Sequence, residues 1–353
     1  MRVAVIPGDG IGTEVTAEAT KVLETIQASS AVRLELRTFD YGADRFLRDG
    51  VTLPDAAIEE FRRDYRAILV GALGDPRVPD NRHARDILLG LRFKLDLYIN
   101  LRPVVLLDRR LTPLRDKSEE QIRMICFREN TEGVYVGMGG NFKVGTADEV
   151  AINEDLNTRK GVERIQRAAF GHARAHGLRL CMSDKSNAME YAHGLWRRVF
   201  AELRREYPEV EAEHLYADVL AMRMVQQPER FQVIVTSNLF GDLITDLGAG
   251  LVGGLGLAAS ANIHPGQVSL FEPVHGSAPD LAGKGQANPM GAILAAGMLL
   301  EYLGHAAEAR RIEAAVRRAL LAGETTADLG GHLSTREVGD RVAARLRDDG
   351  GAA

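Results

Sequence analysis

Two aspartates, Asp242 and Asp246, stand four positions apart shortly after the apolar run 233–235. The run predicts a buried strand, and leucines at every fourth position after it predict a helix. Both carboxylates would then project from one helix face, where like charges repel and no sequence neighbour neutralises them. A hard divalent cation such as Mg²⁺ takes oxygen ligands and would remove the repulsion. The pattern therefore predicts a metal site, with a solvated acidic helix face as the alternative.

Composition limits the classes of protein. The 353 residues exceed one typical hydrophobic core, so we expect two domains. The formal net charge of −5 argues against a nucleic-acid partner, because such proteins usually carry a basic patch. Cys126 and Cys181 lie in apolar runs and are expected to be buried thiols. No run reaches the roughly 18 apolar residues of a membrane span, so we expect no membrane partner and a cytoplasmic protein.

The N-terminal residues have the order of strand, glycine-rich turn and helix. Residues 3–6 are apolar, 7–12 (PGDGIG) are rich in glycine, and 13–29 have helical spacing. Such a turn lets backbone N–H groups approach a phosphate or a carboxylate, although a tight turn alone also needs glycine. Apolar runs and helices keep alternating along the chain, as at 67–72. That alternation predicts an α/β fold with a largely parallel core.

Three arginines could bind carboxylates. Arg92 lies near the end of a predicted helix, and Arg102 and Arg128 lie at the edges of apolar runs. A guanidinium group offers a planar fork of donors that matches a carboxylate and stays charged at neutral pH. Three of them near one pocket would imply a polyanionic small molecule, whereas ordinary surface salt bridges are the alternative.

At this point the chain resembles the β-decarboxylating dehydrogenases, the family of 3-isopropylmalate, isocitrate, homoisocitrate, and tartrate or D-malate dehydrogenases. The resemblance covers the chain from residue 1 to about 300 in family order. The matching motifs are IPGDGIG (6–12), LRFKLDLYINLRP (91–103), RENTEGVY (128–135), DKSN (184–187), YADVLAMRMV (216–225), NLFGDLITD (238–246) and EPVHGSAPDLAGKGQANP (272–289).

The resemblance implies a role for each candidate residue. Oxidation of a 2-hydroxy-dicarboxylate would be followed by loss of CO₂, with Mg²⁺ or Mn²⁺ bound. Lys185 would be the general base and Tyr135 the general acid. The implied metal ligands are Asp218, Asp242 and Asp246, and the implied substrate contacts are Leu88, Leu89, Arg92, Arg102, Arg128, Asn187 and Asp218.

Leu88 and Leu89 bear on the choice of substrate. Isocitrate enzymes carry Ser and Asn just before the first arginine, and homoisocitrate enzymes carry an arginine where Leu89 stands. Two leucines suit an isopropyl group and leave a third carboxylate without a partner, which is costly to bury. The pair therefore favours 3-isopropylmalate. Tartrate and D-malate enzymes are leucine-rich here too and remain the alternative.

The resemblance also implies a nicotinamide cofactor. A carboxylate at Asp280 accepts hydrogen bonds from adenosine ribose hydroxyls and repels a 2′-phosphate, so we expect NAD rather than NADP. The other implied cofactor contacts are Ile11, His275, Gly276, Ser277, Ala278 and Asn288.

The implied architecture is a two-domain isopropylmalate/isocitrate dehydrogenase-like α/β fold with a mixed, largely parallel sheet continuing across both domains. Residues 1–99 plus 253–353 would form the cofactor-binding domain, and residues 100–252 the substrate, metal and dimer domain. Residues 139–157 would form an arm that interlocks with a second copy, and Lys185 and Asp218 would reach across a homodimer. From Ala292 onward we expect two amphipathic helices and a closing segment that is helical over residues 335–345. A non-catalytic regulatory subunit is the least favoured alternative, because base, acid and metal aspartates are all retained.

Overall fold

The computed structural model describes residues 1–349. Its strands are β1 Arg2–Gly8, β2 Glu35–Thr38, β3 Ala67–Ala72, β4 Ile99–Val105, β5 Arg123–Glu129, β6 Gly139–Phe142, β7 Val150–Asn153, β8 Leu180–Asp184, β9 Ala212–Tyr216, β10 Val233–Thr236, β11 Ala259–Ile263 and β12 Ser269–Pro273. Its helices are α1 Ile11–Ala28, α2 Ala43–Asp49, α3 Asp55–Asp64, α4 Arg82–Lys94, α5 Arg159–His176, α6 Glu190–Glu206, α7 Ala217–Gln226, α8 Asn238–Leu251, α9 Met290–Tyr302, α10 Ala306–Leu321 and α11 Thr335–Asp349. The alternation of strands and helices confirms the predicted α/β class.

The first of two compact units contains residues 1–97 and 105–119 and the described residues from 249 onward. Its strands follow the order β2-β1-β3-β12-β11. β1 runs parallel to β2 and β3, and β12 runs parallel to β3, whereas β11 pairs antiparallel with β12. The sheet of this unit is therefore mixed, with parallel pairs in the majority.

Helix α9 differs from its predicted amphipathic character. Nine of its thirteen residues are buried, because the helix packs against α1, α10 and β12. Helix α10 keeps the predicted one-sided pattern and buries Ile312, Ala315, Val316, Ala319 and Leu320. A helix that is apolar all round belongs to the interior of its unit, and neighbouring elements, not its own sequence, determine how much of it is covered.

The second unit contains residues 98–104 and 120–248. Its strands follow the order β4-β5-β10-β8-β9, and β10 runs parallel to β5 and β8, as β8 does to β9. Parallel strands present their carboxyl ends at one edge, where α/β proteins bind ligands. Arg128, Lys185, Asp218 and Asp242 all lie at or just beyond this edge.

The unit boundaries differ from the predicted domain boundaries by a few residues at 98–99 and 249–252, and more widely at residues 105–119, which belong to the first unit. Arg110 donates a hydrogen bond of 2.8 Å to the Leu320 carbonyl, and Leu111 packs close to Gly253. These contacts hold the segment on the first unit. The partners lie more than 100 positions away in the sequence, so local composition gave no sign of them.

Strands β6 and β7 form an antiparallel hairpin that is separate from the large sheet order. All eight of their residues are exposed. The hairpin and its flanks expose large apolar side chains, namely Met138, Phe142, Val144, Val150, Ile152 and Leu156. Exposed apolar groups of this density are typical of an interaction surface. The predicted intersubunit role of residues 139–157 stays a prediction.

Cys126 and Cys181 are both free and buried, as predicted. Burial raises the pKa of the Cys126 thiol to about 12.

Within residues 1–349, none of the helices combines the length and the apolar character needed to cross a membrane.

Candidate active site

Asp242 is the centre of a charged cluster in the second unit. The Arg128 guanidinium pairs with its Oδ1, and the Tyr135 hydroxyl donates a hydrogen bond of 2.9 Å to its Oδ2. Arg102 Nη1 lies 3.4 Å from Asp242 Oδ1 and also 3.4 Å from Asp246 Oδ1. Residues distant in the sequence therefore supply the positive charge that the sequence neighbourhood of this acidic pair lacks. The cations come from β4 and β5, which tertiary structure brings beside α8.

Two contacts fix the arginines against α8. Arg128, which is only 1% exposed, donates through Nε to Asn238 Oδ1 at 3.0 Å. Arg102 donates through Nη1 to Thr245 Oγ1 at 2.8 Å. A Cβ at Gly241 would lie 2.6 Å from Arg128 Cγ, so glycine lets the arginine lie flat on the helix. Neither Asn238 nor Thr245 was predicted as part of the site, although both flank the predicted acids.

The two acids differ in their ionisation. Burial acts to raise the pKa of Asp242, but the charges of Arg128 and Arg102 outweigh it and hold that pKa below its usual range. Burial and the charge of Asp242 raise the pKa of Asp246 above its usual range. Asp246 therefore lacks a full counter-charge, and its side chain is 51% exposed. A cation placed against both carboxylates would remove this repulsion.

Tyr135 lies in a short helical turn that follows Gly133, whose φ of 80° favours glycine. The Arg128 guanidinium carbon lies 5.3 Å from the centre of the Tyr135 ring. Burial and the charge of Asp242 raise the pKa of the Tyr135 hydroxyl above its usual range. The phenol therefore keeps its proton at neutral pH, as a proton donor requires.

Lys185 and Asp218 form a second pair. Lys185 follows β8, Asp218 lies in the first turn of α7 after β9, and Lys185 Nζ lies 2.8 Å from Asp218 Oδ1. The Lys185 hydrogen bond lowers the pKa of Asp218. Asn187 is exposed in the turn that carries Lys185.

Within residues 1–349 of one chain, no three His, Cys, Asp or Glu side chains are placed to hold a metal ion. The three predicted metal ligands are thus divided, with Asp218 apart from Asp242 and Asp246.

Helix α4 carries the predicted substrate residues of the first unit. Leu88 and Leu89 are half-buried on it, and Arg92 is buried. Arg92 Nη2 donates to Glu272 Oε1 at 3.0 Å, and Asn262 Nδ2 donates to the same oxygen at 2.7 Å. Glu272 was not predicted. An acid near the carboxyl end of a buried strand, inside a recognised motif, was the available signal.

The glycine-rich turn before α1 supports the predicted cofactor loop of the same unit. The Ile11 N–H donates to the Ser277 carbonyl at 2.9 Å, and the Asp9 N–H donates to the Ala72 carbonyl at 2.7 Å. A Cβ at Gly10, which has a φ of 54°, would lie 2.2 Å from the Ser277 carbonyl oxygen. The glycines therefore serve close backbone contact. This favours the tight-turn alternative for the glycines over a phosphate-binding turn, because the Asp9 and Ile11 N–H groups already donate to backbone carbonyls.

The rest of the predicted cofactor loop follows β12. His275 and Ala278 are half-buried, Ser277 is buried, and Gly276 and Asp280 are exposed. Asn288 Oδ1 accepts the Met290 N–H at 3.0 Å at the start of α9. Burial lowers the pKa of His275.

Glu14 was not predicted, yet it holds the loop that follows Asp280. Its carboxylate accepts the Gly283 N–H at 2.6 Å and the Gly285 N–H at 3.0 Å. Glu14 lies in the first turn of α1, and nothing in its local sequence indicates partners 269 and 271 positions away.

Comparison with known proteins identifies the class to which this fold and site belong. The family model for isocitrate/isopropylmalate dehydrogenases matches residues 2–342. The chain therefore belongs to the isocitrate/isopropylmalate dehydrogenase family.

Individual relatives are similar over nearly their whole length. The chain is 48% identical to a 3-isopropylmalate dehydrogenase of Thermobifida fusca, covering 99% of each chain, and 47% identical to one of Streptomyces griseus, covering 97% of each. Among solved structures, an isocitrate dehydrogenase of Methylococcus capsulatus has 38% identity and a TM-score of 0.88, covering 98% of this chain and 99% of that one. A β-decarboxylating dehydrogenase of Thermococcus kodakarensis has 37% identity and a TM-score of 0.81, covering 98% of this chain and 96% of that one.

Proposed function

We propose that this chain oxidises and decarboxylates 3-isopropylmalate to 4-methyl-2-oxopentanoate with NAD, a reaction of leucine biosynthesis. The observation that carries the proposal is the cluster of Arg102, Arg128 and Tyr135 around Asp242 in a chain of this family. The names of the 3-isopropylmalate dehydrogenase relatives support the choice of substrate.

Unsatisfied donors support a dicarboxylate ligand. The Nε atoms of Arg92 and Arg102 are buried and have no hydrogen-bond partner among the described residues. A buried cationic donor without a partner is costly, and a substrate carboxylate would satisfy it. Leu88 and Leu89 precede Arg92 on α4 and offer an apolar lining for the isopropyl group.

The proposed proton transfers use two residues of the second unit. Lys185 takes the proton of the 2-hydroxyl as C2 gives up a hydride, for which bound NAD would be the acceptor. The C–C bond to the β-carboxylate then breaks, CO₂ leaves, and the electron pair remains on the enolate. Tyr135 donates its proton to C3 of that enolate, and the ketone product is complete.

The carboxylate oxygens of Asp242 and Asp246 are of the ligand type that a divalent cation such as Mg²⁺ binds. Asp242 and Asp246 supply carboxylate oxygens one helical turn apart, and the raised pKa of Asp246 reflects a negative charge that a cation would relieve. Bound Mg²⁺ or Mn²⁺ would supply Lewis-acid polarisation of the oxygen at C2. We assign the third ligand, Asp218, to the site of a second copy, together with Lys185.

Mixing two inactive variants tests this sharing. Lys185→Met and Asp242→Asn each disable both sites of their own homodimer. If sites are shared, a mixed dimer holds one doubly defective site and one intact site, and refolding an equimolar mixture restores about a quarter of the normal activity. Activity that stays at the level of the separate variants would contradict sharing, and a monomer by sedimentation would exclude it.

A substrate panel tests the reaction itself. The purified chain is assayed with NAD and Mg²⁺ on 3-isopropylmalate, D-malate, tartrate, isocitrate and homoisocitrate. The highest kcat/KM is expected for 3-isopropylmalate. A higher value for D-malate or tartrate would overturn the substrate assignment, and absence of turnover with every member would favour a non-catalytic subunit.

A further inference from the structure

His193 is buried between the turn that carries Lys185 and the segment that leaves the β6–β7 hairpin. Its ring is 1% exposed, its Nδ1 accepts the Lys185 backbone N–H at 2.9 Å, and its Nε2 lies 3.5 Å from Asp155 Oδ2. Because Nδ1 accepts a hydrogen bond, the ring proton of the neutral imidazole is on Nε2 and faces the Asp155 carboxylate. One side chain thus contacts two segments that are 30 positions apart in the sequence.

The imidazole is held in this orientation by its neighbours. The His193 ring meets the Phe240 ring edge-on, with centroids 5.4 Å apart, and lies 6.3 Å from the Trp196 ring. Trp196 Nε1 donates to Asn157 Oδ1 at 2.8 Å, and Asn157 Nδ2 donates to Asp155 Oδ2 at 2.9 Å. The hydrogen bond from Asn157 therefore holds the Asp155 carboxylate in the position in which it faces His193.

The same exit segment, residues 155–158, supports the loop of Tyr135. The Gly133 N–H donates to the Leu156 carbonyl at 2.7 Å. The Thr158 N–H donates to Glu132 Oε2 at 2.8 Å. The exit segment is thereby connected to the residues just before Tyr135 and, through His193, to the backbone of Lys185.

We propose that His193 is a positioning residue for Lys185, because its Nδ1 accepts the backbone N–H of the turn that carries the lysine. The proposal rests on the proposed roles of Lys185 and Tyr135 in proton transfer. The His193 side chain is 1% exposed, so its proposed action is on the backbone of Lys185 and not on a bound ligand. It acts by fixing the backbone from which the lysine side chain reaches out.

A buried histidine can also serve only to fill space. Substitutions that keep either the volume of the ring or one of its polar atoms distinguish this space-filling role from the positioning role. A space-filling role needs the volume of the ring, whereas a positioning role needs an acceptor at the place of Nδ1. His193→Asn keeps an oxygen near Nδ1 and loses the atom that faces Asp155. His193→Gln keeps a polar atom near Nε2 and loses the acceptor for Lys185. His193→Phe keeps the ring and loses both.

Turnover of the intact enzyme with its best substrate is the first measurement. Displacement of a catalytic group by about 1 Å can cost on the order of 100-fold. We expect His193→Phe and His193→Gln to lower kcat by about 10- to 100-fold with KM changed by less than about threefold, and His193→Asn to stay within about threefold of the parent. The exposed His176→Asn is the matched control. A fully active Phe variant, or an Asn variant as impaired as the Phe variant, would overturn the proposal.

Hydrogen–deuterium exchange of the peptide that contains the Lys185 amide gives a readout that does not depend on the substrate. Exchange is expected to be faster in the Phe and Gln variants and unchanged in the Asn variant. Equal exchange in all three variants would overturn the proposal, whatever substrate the panel identifies. If the panel instead yields no turnover while exchange follows the expected order, the proposed function fails and the positioning of the Lys185 turn stands.

Discussion

Lys185 Nζ lies 2.8 Å from Asp218 Oδ1, whereas the Tyr135 hydroxyl donates to Asp242 at 2.9 Å. Within one chain, the proposed base and the proposed acid are therefore held by different aspartates. Both pairs lie at the carboxyl edge of the same parallel strands. This division of the site motivates the first prediction.

Lys185→Met is expected to lower kcat by about 10² to 10⁴, because an acid–base group typically contributes that much. The binding of Mg²⁺ and NAD should be largely retained, since Lys185 Nζ pairs with Asp218, whose carboxylate stays in place for a metal ion when the lysine is replaced. Steady-state turnover and cofactor titration by fluorescence are the measurements. Lys160→Met, at an exposed lysine of α5, is the control and should be fully active. Near-normal turnover of Lys185→Met would remove the lysine from the mechanism.

Leu89→Arg is expected to shift preference toward substrates with a third carboxylate, because it places a charged donor where the chain has an apolar side chain. The kcat/KM for 3-isopropylmalate should fall by about 10-fold or more, since burial of the isopropyl group beside a guanidinium is unfavourable. The substrate panel is repeated with Leu47→Arg on the exposed face of α2 as the control. An unchanged ranking of substrates would show that Leu89 does not line the pocket.

The double variant Asp280→Lys with Leu281→Tyr is expected to weaken use of NAD and improve use of NADP. Asp280 is exposed and available to the adenosine ribose, where its charge would repel a 2′-phosphate. We expect the parent to prefer NAD by more than about 10² in kcat/KM. Initial rates with each cofactor at fixed substrate and metal measure the preference. A parent enzyme that used both cofactors within about threefold would place Asp280 away from the ribose.

Glu14→Gln is expected to raise the KM for NAD by about 3- to 10-fold with little change in kcat. The carboxylate accepts the N–H groups of Gly283 and Gly285, and bonds to a charged acceptor are worth on the order of 1.5–3 kcal/mol, and less where the bond is exposed, as the Gly283 bond is. An amide retains one acceptor oxygen, so part of the support should remain. Glu24→Gln, exposed on the same helix, is the control. Equal KM values for both variants would mean that the loop keeps its form without Glu14.

Asp108 gives a prediction on stability and pH. The carboxyl is buried, Arg110 Nε donates to it at 2.9 Å, and the Arg110 guanidinium holds its pKa below the usual range. A lowered pKa stabilises the fold above the unfolded-state pKa of about 3.9, and the contribution is lost as pH falls through the folded-state pKa. Asp108→Asn should reduce the free energy of unfolding by about 1–2 kcal/mol at pH 7.

Urea unfolding across a pH series checks this sign. The difference between Asp108→Asn and the parent should be constant from pH 7 to 5 and should narrow below about pH 4. The exposed Asp86→Asn should match the parent throughout. A difference that widened on acidification would contradict the pairing with Arg110.

Local patterns were enough to predict much of the fold. The buried run 67–72 is β3, and the helical spacing after residue 238 is α8. Strand and helix periodicities are properties of short windows, and the glycine-rich turn and the spacing of Asp242 and Asp246 are equally local. The motifs also mark Arg102, Arg128 and Tyr135 as site candidates, and all three contact Asp242.

The sequence by itself determined which residue types are available and on which kind of element each would lie. Only the tertiary structure decided which charges meet. Arg128 reaches Asp242 across 114 positions, Glu14 reaches Gly283 across 269, and Arg92 reaches Glu272 across 180. Such pairings depend on the order of strands within a sheet, which hydrophobic periodicity does not encode. The separation of Asp218 from the other two acids has the same origin, because Asp218 follows the edge strand β9 and Asp242 follows the interior strand β10.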